Sequence, residues 1–378
     1  MRIMIVADAW HPQTNGVVST LSQTVRWLCR FGHEVQMVTP SEFRSVPCPT
    51  YPEIRLSLRP YPQVARRIEA FAPQSLHIAT EGPLGFAARR YALRYGLRFT
   101  TSFHTRFAQY LRARLPVPIA ISYGLLRRFH GPAARCMVST ASVRRELMAH
   151  GFANLATWRR GVDTELFRPR TKTAIDLKRP VAAYVGRIAI EKNVEAFLHM
   201  RWRGSKIVIG DGPARARLQA EHPGATFYGY LFGEELAALL AAADIMVFPS
   251  LTDTFGLVNL EAMACGVPVA AFPVTGPIDV IEDGVTGALD EDLSVAAERA
   301  LLIDPQACRR RAMVCGWEIC SREFERNLVP CLAEQGSSNG HLSGAESPPR
   351  VDGRREDSRC TGSISSTSTQ AADTAQRR

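Results

Sequence analysis

The sequence predicts an α/β protein of two doubly wound domains, and three observations carry that expectation. From Arg2 to Leu289, short apolar runs rich in β-branched residues alternate with segments of helical apolar spacing, as a parallel sheet with crossover helices requires. A polar, unpatterned stretch from Pro169 to Pro180 interrupts the alternation once, after which it starts afresh. With 378 residues the chain is long enough for two domains of ordinary size. The predicted organisation is a first domain over 1–168, a linker over 169–180 and a second domain over 181–332. A tail over 333–378 follows. Ser, Gly, Thr, Gln and Arg dominate it from Gly336 onwards, so it is expected to be disordered.

The first domain opens with a strand from Arg2 to Ala7, a loop from Asp8 to Ser19, and a helix with Leu21, Val25 and Leu28 on one face and Gly32 as its stop. Val35 to Val38 is the next strand. A dinucleotide oxidoreductase should show G-x-G-x-x-G in this loop and an acid at the end of the second strand. The loop holds only Gly16, and the second strand ends in Thr39-Pro40. Gly16 is either a turn glycine at positive φ or a point of close backbone approach to a ligand, and the two are compatible. Ser75 to Ala79 and Phe99 to Phe103 are further strands, with His104 just past the end of the second, where a doubly wound sheet places its site residues. Arg106 to Arg114 and Ile119 to Phe129 mix Leu, Tyr and Phe with arginines, as in an amphipathic basic helix pair on an anionic bilayer. Cys136 to Thr140 is another strand.

The second domain begins with the strand Val181 to Val185. Gly186, Arg187 and Lys192 follow its end, an arrangement suited to clamping a diphosphate with one bidentate fork and one point charge. Lys206 to Ile209 is the next strand and ends in the turn Gly210-Asp211-Gly212-Pro213. Ile245 to Pro249 then reads as a buried strand. After it Asp253 sits in a loop, Phe255-Gly256-Leu257-Val258 opens a helix, Glu261 lies in that helix's first turns, and Gly266 stops it before a buried run from Val267 to Ala271. Free amides at the helix start favour an anionic or polyhydroxylated ligand.

Asp253 followed eight residues on by Glu261 resembles the Asp/Glu-x7-Glu signature of retaining glycosyltransferases of family 4, whose GT-B fold is two facing Rossmann-like domains with a cleft between them. The resemblance extends to Pro12-Gln13-Thr14-Asn15-Gly16-Val17, Ser102-Phe103-His104-Thr105, Gly161-Val162-Asp163, and Gly186-Arg187 with Glu191-Lys192-Asn193, and so covers about Met1 to Leu332. It implies that Asp253 contacts hydroxyls of the donor sugar and Glu261 the ribose. It also implies that Gly16 lets the backbone approach the donor diphosphate and that His104 touches the transferred sugar. Arg187 and Lys192 then hold the departing diphosphate, and Gly210, Asp211 and Gly212 line the nucleotide pocket. A helix within Ala307 to about Leu332 is implied to cross back to the first domain. The implied reaction is transfer of a hexose (mannose, glucose or glucuronate) from a nucleotide sugar to a membrane-lipid or glycan acceptor by front-face attack, with no metal or other cofactor. The opening motifs are most similar to the subgroup of GDP-mannose-dependent α-mannosyltransferases and diacylglycerol glycosyltransferases. The family more often has Glu first, so Asp253 is one methylene shorter. Asp290-Glu291-Asp292 matches the metal-binding D-x-D of the other glycosyltransferase architecture, but it precedes a helix and reads as an N-cap.

Composition bounds the alternatives. No run of about 18 apolar residues exists, and the N-terminus enters a strand within two residues, so neither a membrane-spanning helix nor a signal peptide is expected. Nine cysteines with no C-x-x-C pair read as reduced thiols of a cytoplasmic protein. The net charge of +10 is uneven: residues 1–170 hold 24 Arg, no Lys and 9 acids, which is +15 and leaves −5 for the rest. A basic first half calls for an anionic partner. Nucleic acid is one such partner, but it would not require acids and cations at sheet edges. The reading favoured is a peripheral protein at the inner face of the cytoplasmic membrane. A sugar-nucleotide epimerase of the same architecture and a catalytically silent relative are the competing readings.

Overall fold

The computed structural model describes residues 1–13, 15–48, 51–104, 118–172 and 176–332. The predicted tail and the basic segment with Arg106, Arg112 and Arg114 lie outside the described residues.

Eight strands form in the first half: β1 (Arg2–Val6), β2 (Glu34–Val38), β3 (Ser45–Cys48), β4 (Tyr51–Ser57), β5 (Ser75–Ile78), β6 (Thr100–Phe103), β7 (Arg135–Val138) and β8 (Leu155–Thr157). Six follow in the second: β9 (Val181–Val185), β10 (Ser205–Ile209), β11 (Ala225–Gly229), β12 (Ile245–Phe248), β13 (Val269–Ala271) and β14 (Gly287–Leu289). The first sheet has the order β2-β1-β5-β6-β7-β8 and the second β11-β10-β9-β12-β13-β14, with every pairing parallel. Residues such as Ile3, Met4, Ile5, Val181, Ala182 and Val247 are fully buried. That is why the strands read as continuous apolar runs rather than alternating ones. An antiparallel hairpin of β3 and β4 stands apart from both sheets; its Pro-rich sequence carries no period that announces it.

Strand order reverses between β1 and β5 in the first sheet and between β9 and β12 in the second, and ligands of doubly wound sheets lie outside the strand ends at such points. The loops after β9 and β12 are the ones that carry Arg187, Lys192 and Asp253. The helix after β1 runs Gly16–Arg30, capped by Asn15, whose side chain accepts from Val17 and Val18 N–H. Its buried residues are Val18, Thr20, Leu21, Thr24 and Leu28, and Val25, partly buried, packs against the same core as Leu21 and Leu28, as the spacing predicts.

The last helix, Trp317–Asn327, belongs by position to the first domain. Trp317 and Phe324 share a core with Ile3, Leu21 and Leu28, and burying Phe324 contributes about 2–3 kcal/mol. His33 Nε2 lies 2.7 Å from Glu325, Arg135 donates to the Arg326 carbonyl at 2.8 Å, and Arg98 N–H donates to the Cys331 carbonyl at 2.8 Å. The chain therefore leaves the first domain once and returns to it.

Candidate active site

The second sheet's edge is built from two loops. After β12, Gly256 sits at φ +79°, where an added Cβ would stand 2.7 Å from the Phe248 ring, so only glycine turns the chain here into the helix Leu257–Ala264. No side chain caps that helix start. After β9, Asn193 adopts a left-handed conformation and donates to the Pro249 carbonyl at 3.2 Å, tying the two loops together. Lys192 Nζ thereby reaches both oxygens of Asp253, at 2.6 and 2.8 Å. Arg187 is anchored by its backbone, its carbonyl accepting from Tyr184 Oη at 2.7 Å.

Glu261 differs from these residues. Among the described residues its carboxylate has no hydrogen-bond or ion-pair partner. It keeps part of its surface open, yet the protein around it removes most of its hydration, and burial pushes its pKa up to about 7. An acceptor group stripped of water and left unpaired is what a ribose diol would satisfy.

The turn at Gly210 closes against Gly186. At φ +143° an added Cβ on Gly210 would lie 1.9 Å from the Gly186 carbonyl oxygen, so both strand ends stay bare backbone. Asp211 is used within that turn: one oxygen accepts from Gly212 N–H and the other from Arg215, both at 2.7 Å.

The first sheet contributes His104, and the cleft is narrow where it sits. Thr254 Oγ1, from the β12 loop, donates to the His104 carbonyl at 3.0 Å across the domains. The His104 ring lies between Arg160, whose Nη2 is 3.2 Å from Nδ1, and Ser102, whose Oγ is 2.8 Å from Nε2. Burial first, and then the charge on Arg160, hold its pKa well below the ordinary range. Gly16 is not a positive-φ turn residue; it is the first residue of its helix, and an added Cβ would stand 3.6 Å from Leu257 Cδ1 of the other domain. Leu257 packs into the first domain's core, whereas Phe255 and Val258 pack against the second's.

The structure thus brings Lys192 to Asp253, Gly186 to Gly210, Gly16 to Leu257 and His104 to the Asp253 loop. It leaves Glu261 without a partner among the described residues and Asp211 occupied. Asp292 caps its helix by accepting from Ser294 N–H at 2.7 Å, so the D-x-D match is structural.

Several residues of this edge were not singled out by sequence. Asp8 is buried and accepts from Leu84 and Gly85 N–H and from Thr80, holding the β1 and β5 loops together; burial raises its pKa. Beside it, Glu81 lies 3.0 Å from buried His130. Burial opposes charge on His130, but Cys136 and Glu81 outweigh it and push its pKa up to about 10. Arg160 is 6% exposed. Its only sequence signal is its place in Trp158-Arg159-Arg160-Gly161, just before the Gly-Val-Asp motif.

Comparison with known proteins agrees with this architecture. Residues 14–166 match the family model "Glycosyltransferase Family 4" and residues 179–303 the model "Glycosyl transferases group 1". A GDP-mannose-dependent alpha-mannosyltransferase of Mycolicibacterium smegmatis is 32% identical over 76% of this chain and 84% of its own. Sulfoquinovosyl transferase SQD2 of Arabidopsis thaliana is 32% identical over 77% of this chain and 64% of its own. Among solved structures, a sucrose-phosphate synthase from Thermosynechococcus elongatus superposes with a TM-score of 0.66 at 20% identity, over 86% of this chain and 97% of that one. The chain therefore belongs to glycosyltransferase family 4: it is a glycosyltransferase of the GT-B fold that takes its sugar from a nucleotide donor.

Proposed function

We propose that this chain transfers a hexose, with retention of anomeric configuration and without a metal ion, from a nucleotide sugar to a lipid acceptor at an anionic membrane surface. The observation that carries the donor half is the desolvated carboxylate of Glu261, without a partner among the described residues, on the helix that follows the loop of the Lys192–Asp253 pair. Glu261 takes the ribose hydroxyls. On donor entry Lys192 exchanges Asp253 for the diphosphate, which frees Asp253 for the sugar hydroxyls. Arg187 and Lys192 then stabilise the leaving diphosphate, where negative charge accumulates. The acceptor hydroxyl attacks on the face the diphosphate leaves and gives its proton to that phosphate. GDP-mannose is the favoured donor, since relatives of this length carry that name.

The lipid half is supported by two neighbouring helices of the first domain, Pro83–Arg94 and Ile119–His130, joined by Arg89 donating to the Phe129 and Arg128 carbonyls. They expose Phe86, Leu93, Ile121 and Leu125 among arginines that include Arg90 and Arg128. Ile121, Leu125 and Arg128 fall on one helical stripe. Among the described residues no helix is long and apolar enough to cross a membrane.

Thermal shift against GDP-mannose, UDP-glucose and UDP-glucuronate tests the donor. At 100 times its Kd the true donor adds about 2.7 kcal/mol. The expected result is a shift with GDP-mannose that is indifferent to chelator and lost in Glu261→Ala; a shift unchanged in that variant would overturn the site. Sedimentation with anionic vesicles tests the surface. Replacing Arg90, Leu125 and Arg128 with Gln should weaken binding at least tenfold, at about 1 kcal/mol per cation, and unchanged sedimentation would remove the membrane from the proposal.

A further inference from the structure

The hydrogen bonds to the His104 ring fix which of its nitrogens carries the proton. A guanidinium only donates, so the contact from Arg160 Nη2 makes His104 Nδ1 an acceptor. A neutral ring then carries its proton on Nε2 and gives it to Ser102 Oγ, 2.8 Å away. Ser102 Oγ, having accepted from His104, is left to donate to the Ala79 carbonyl at 3.3 Å or to Nε2 of His77 at 3.1 Å, and His77 Nδ1 lies 2.9 Å from Thr100 Oγ1.

Arg160 is placed for this and for little else. It is buried, lies 4.3 Å over the Trp158 ring, donates to the Trp158 carbonyl at 2.7 Å, and forms no ion pair among the described residues. A buried guanidinium without a carboxylate is costly to fold around. Beyond a second, longer donation to the Arg159 carbonyl at 3.4 Å, its side-chain contact is the imidazole at the cleft.

We infer that Arg160 is a positioning residue for sugar transfer, fixing His104 as the neutral Nε2–H tautomer with both ring nitrogens engaged. The ring then serves as a rigid, uncharged wall of the sugar site and is neither a base nor an acid in the reaction. The charged and titratable groups around it are Arg160 after β8, His77 on β5 and His130 at the end of the helix Ile119–His130, and all three oppose a proton on the ring. The kinetic consequence rests on His104 contacting the transferred sugar, whereas the tautomer does not.

The test is nitrogen-15 NMR of the histidine-labelled full chain without donor, with the His104 signal identified by its loss in His104→Gln. In the native protein the ring should stay neutral from about pH 8 to about pH 5 with its proton on Nε2. In Arg160→Gln, whose amide can accept as well as donate, the Nδ1–H form should appear, and kcat/KM should fall about tenfold as part of the population turns the wrong nitrogen to Ser102; burial still holds the ring's pKa below the ordinary range. Arg160→Lys, which also only donates, should restore the Nε2–H form. A native ring protonated on Nδ1, or titrating in this range, overturns the inference even if the glutamine variant fails to fold. An Arg160→Gln ring that stays wholly in the Nε2–H form overturns it too. A normal NMR result with an unchanged kcat/KM would instead remove His104 from the sugar site.

Discussion

At the first sheet's edge, His104 is held on both ring nitrogens and on its carbonyl, and Asp8 and His130 are likewise buried with their partners. At the second sheet's edge, Glu261 has no protein partner among the described residues, and Lys192 holds Asp253 in a pair whose side chains are 26% and 17% exposed. The first edge is finished before any ligand arrives; the second is left electrostatically incomplete. The difference matches the tasks proposed for the two edges. A surface that orients a transferred sugar gains from rigidity, because orientation lost is rate lost. A surface that must bind and release a nucleotide needs groups whose best partners are absent from the protein.

The largest expected effect that sharpens this contrast is on stability against pH. Glu261 ionises at its ordinary 4.5 in the unfolded chain and at about 7 in the folded one, so the folded state holds the extra proton between those values. Stability therefore falls as pH rises through this window, and the full cost stands above pH 7. Glu261→Gln should be more stable than the native chain by on the order of 2 kcal/mol at about pH 8, after allowance for its partial exposure, and no different below about pH 4.5. Denaturant melts at both ends measure it. A variant less stable at pH 8 would mean that the carboxylate is satisfied by the protein and that the two edges do not differ.

A smaller effect probes whether the edges communicate. Thr254→Val removes the one hydroxyl that joins the β12 loop to the His104 carbonyl, worth about 1 kcal/mol. We expect kcat/KM to fall about fivefold with little change in melting temperature. Steady-state kinetics that match the native enzyme would show that each edge acts alone.

Much of this site was legible from spacing. Arg187, Lys192, Asp253 and Glu261 lie just after short apolar runs, and a parallel sheet delivers all its strand ends to one side. Asp211 was legible by place but not by use, since Arg215 one helical turn on occupies it. Gly16 was legible as a close approach, yet what it approaches is Leu257 of the other domain, and that residue is separated from it by most of the chain. Asp8, Glu81, His130 and Arg160 were not legible. Each is a single polar residue whose meaning depends on a partner from a different strand or helix, and one-dimensional periodicity carries no such pairing.

The sequence by itself determined the two alternating α/β units, the break between them and the cluster of acids and cations at strand ends, because periodicity and strand-end position are local properties. The tertiary structure alone decided the tautomer of His104 and the isolation of Glu261. Those depend on which groups share a low-dielectric neighbourhood, and only the packed chain sets that.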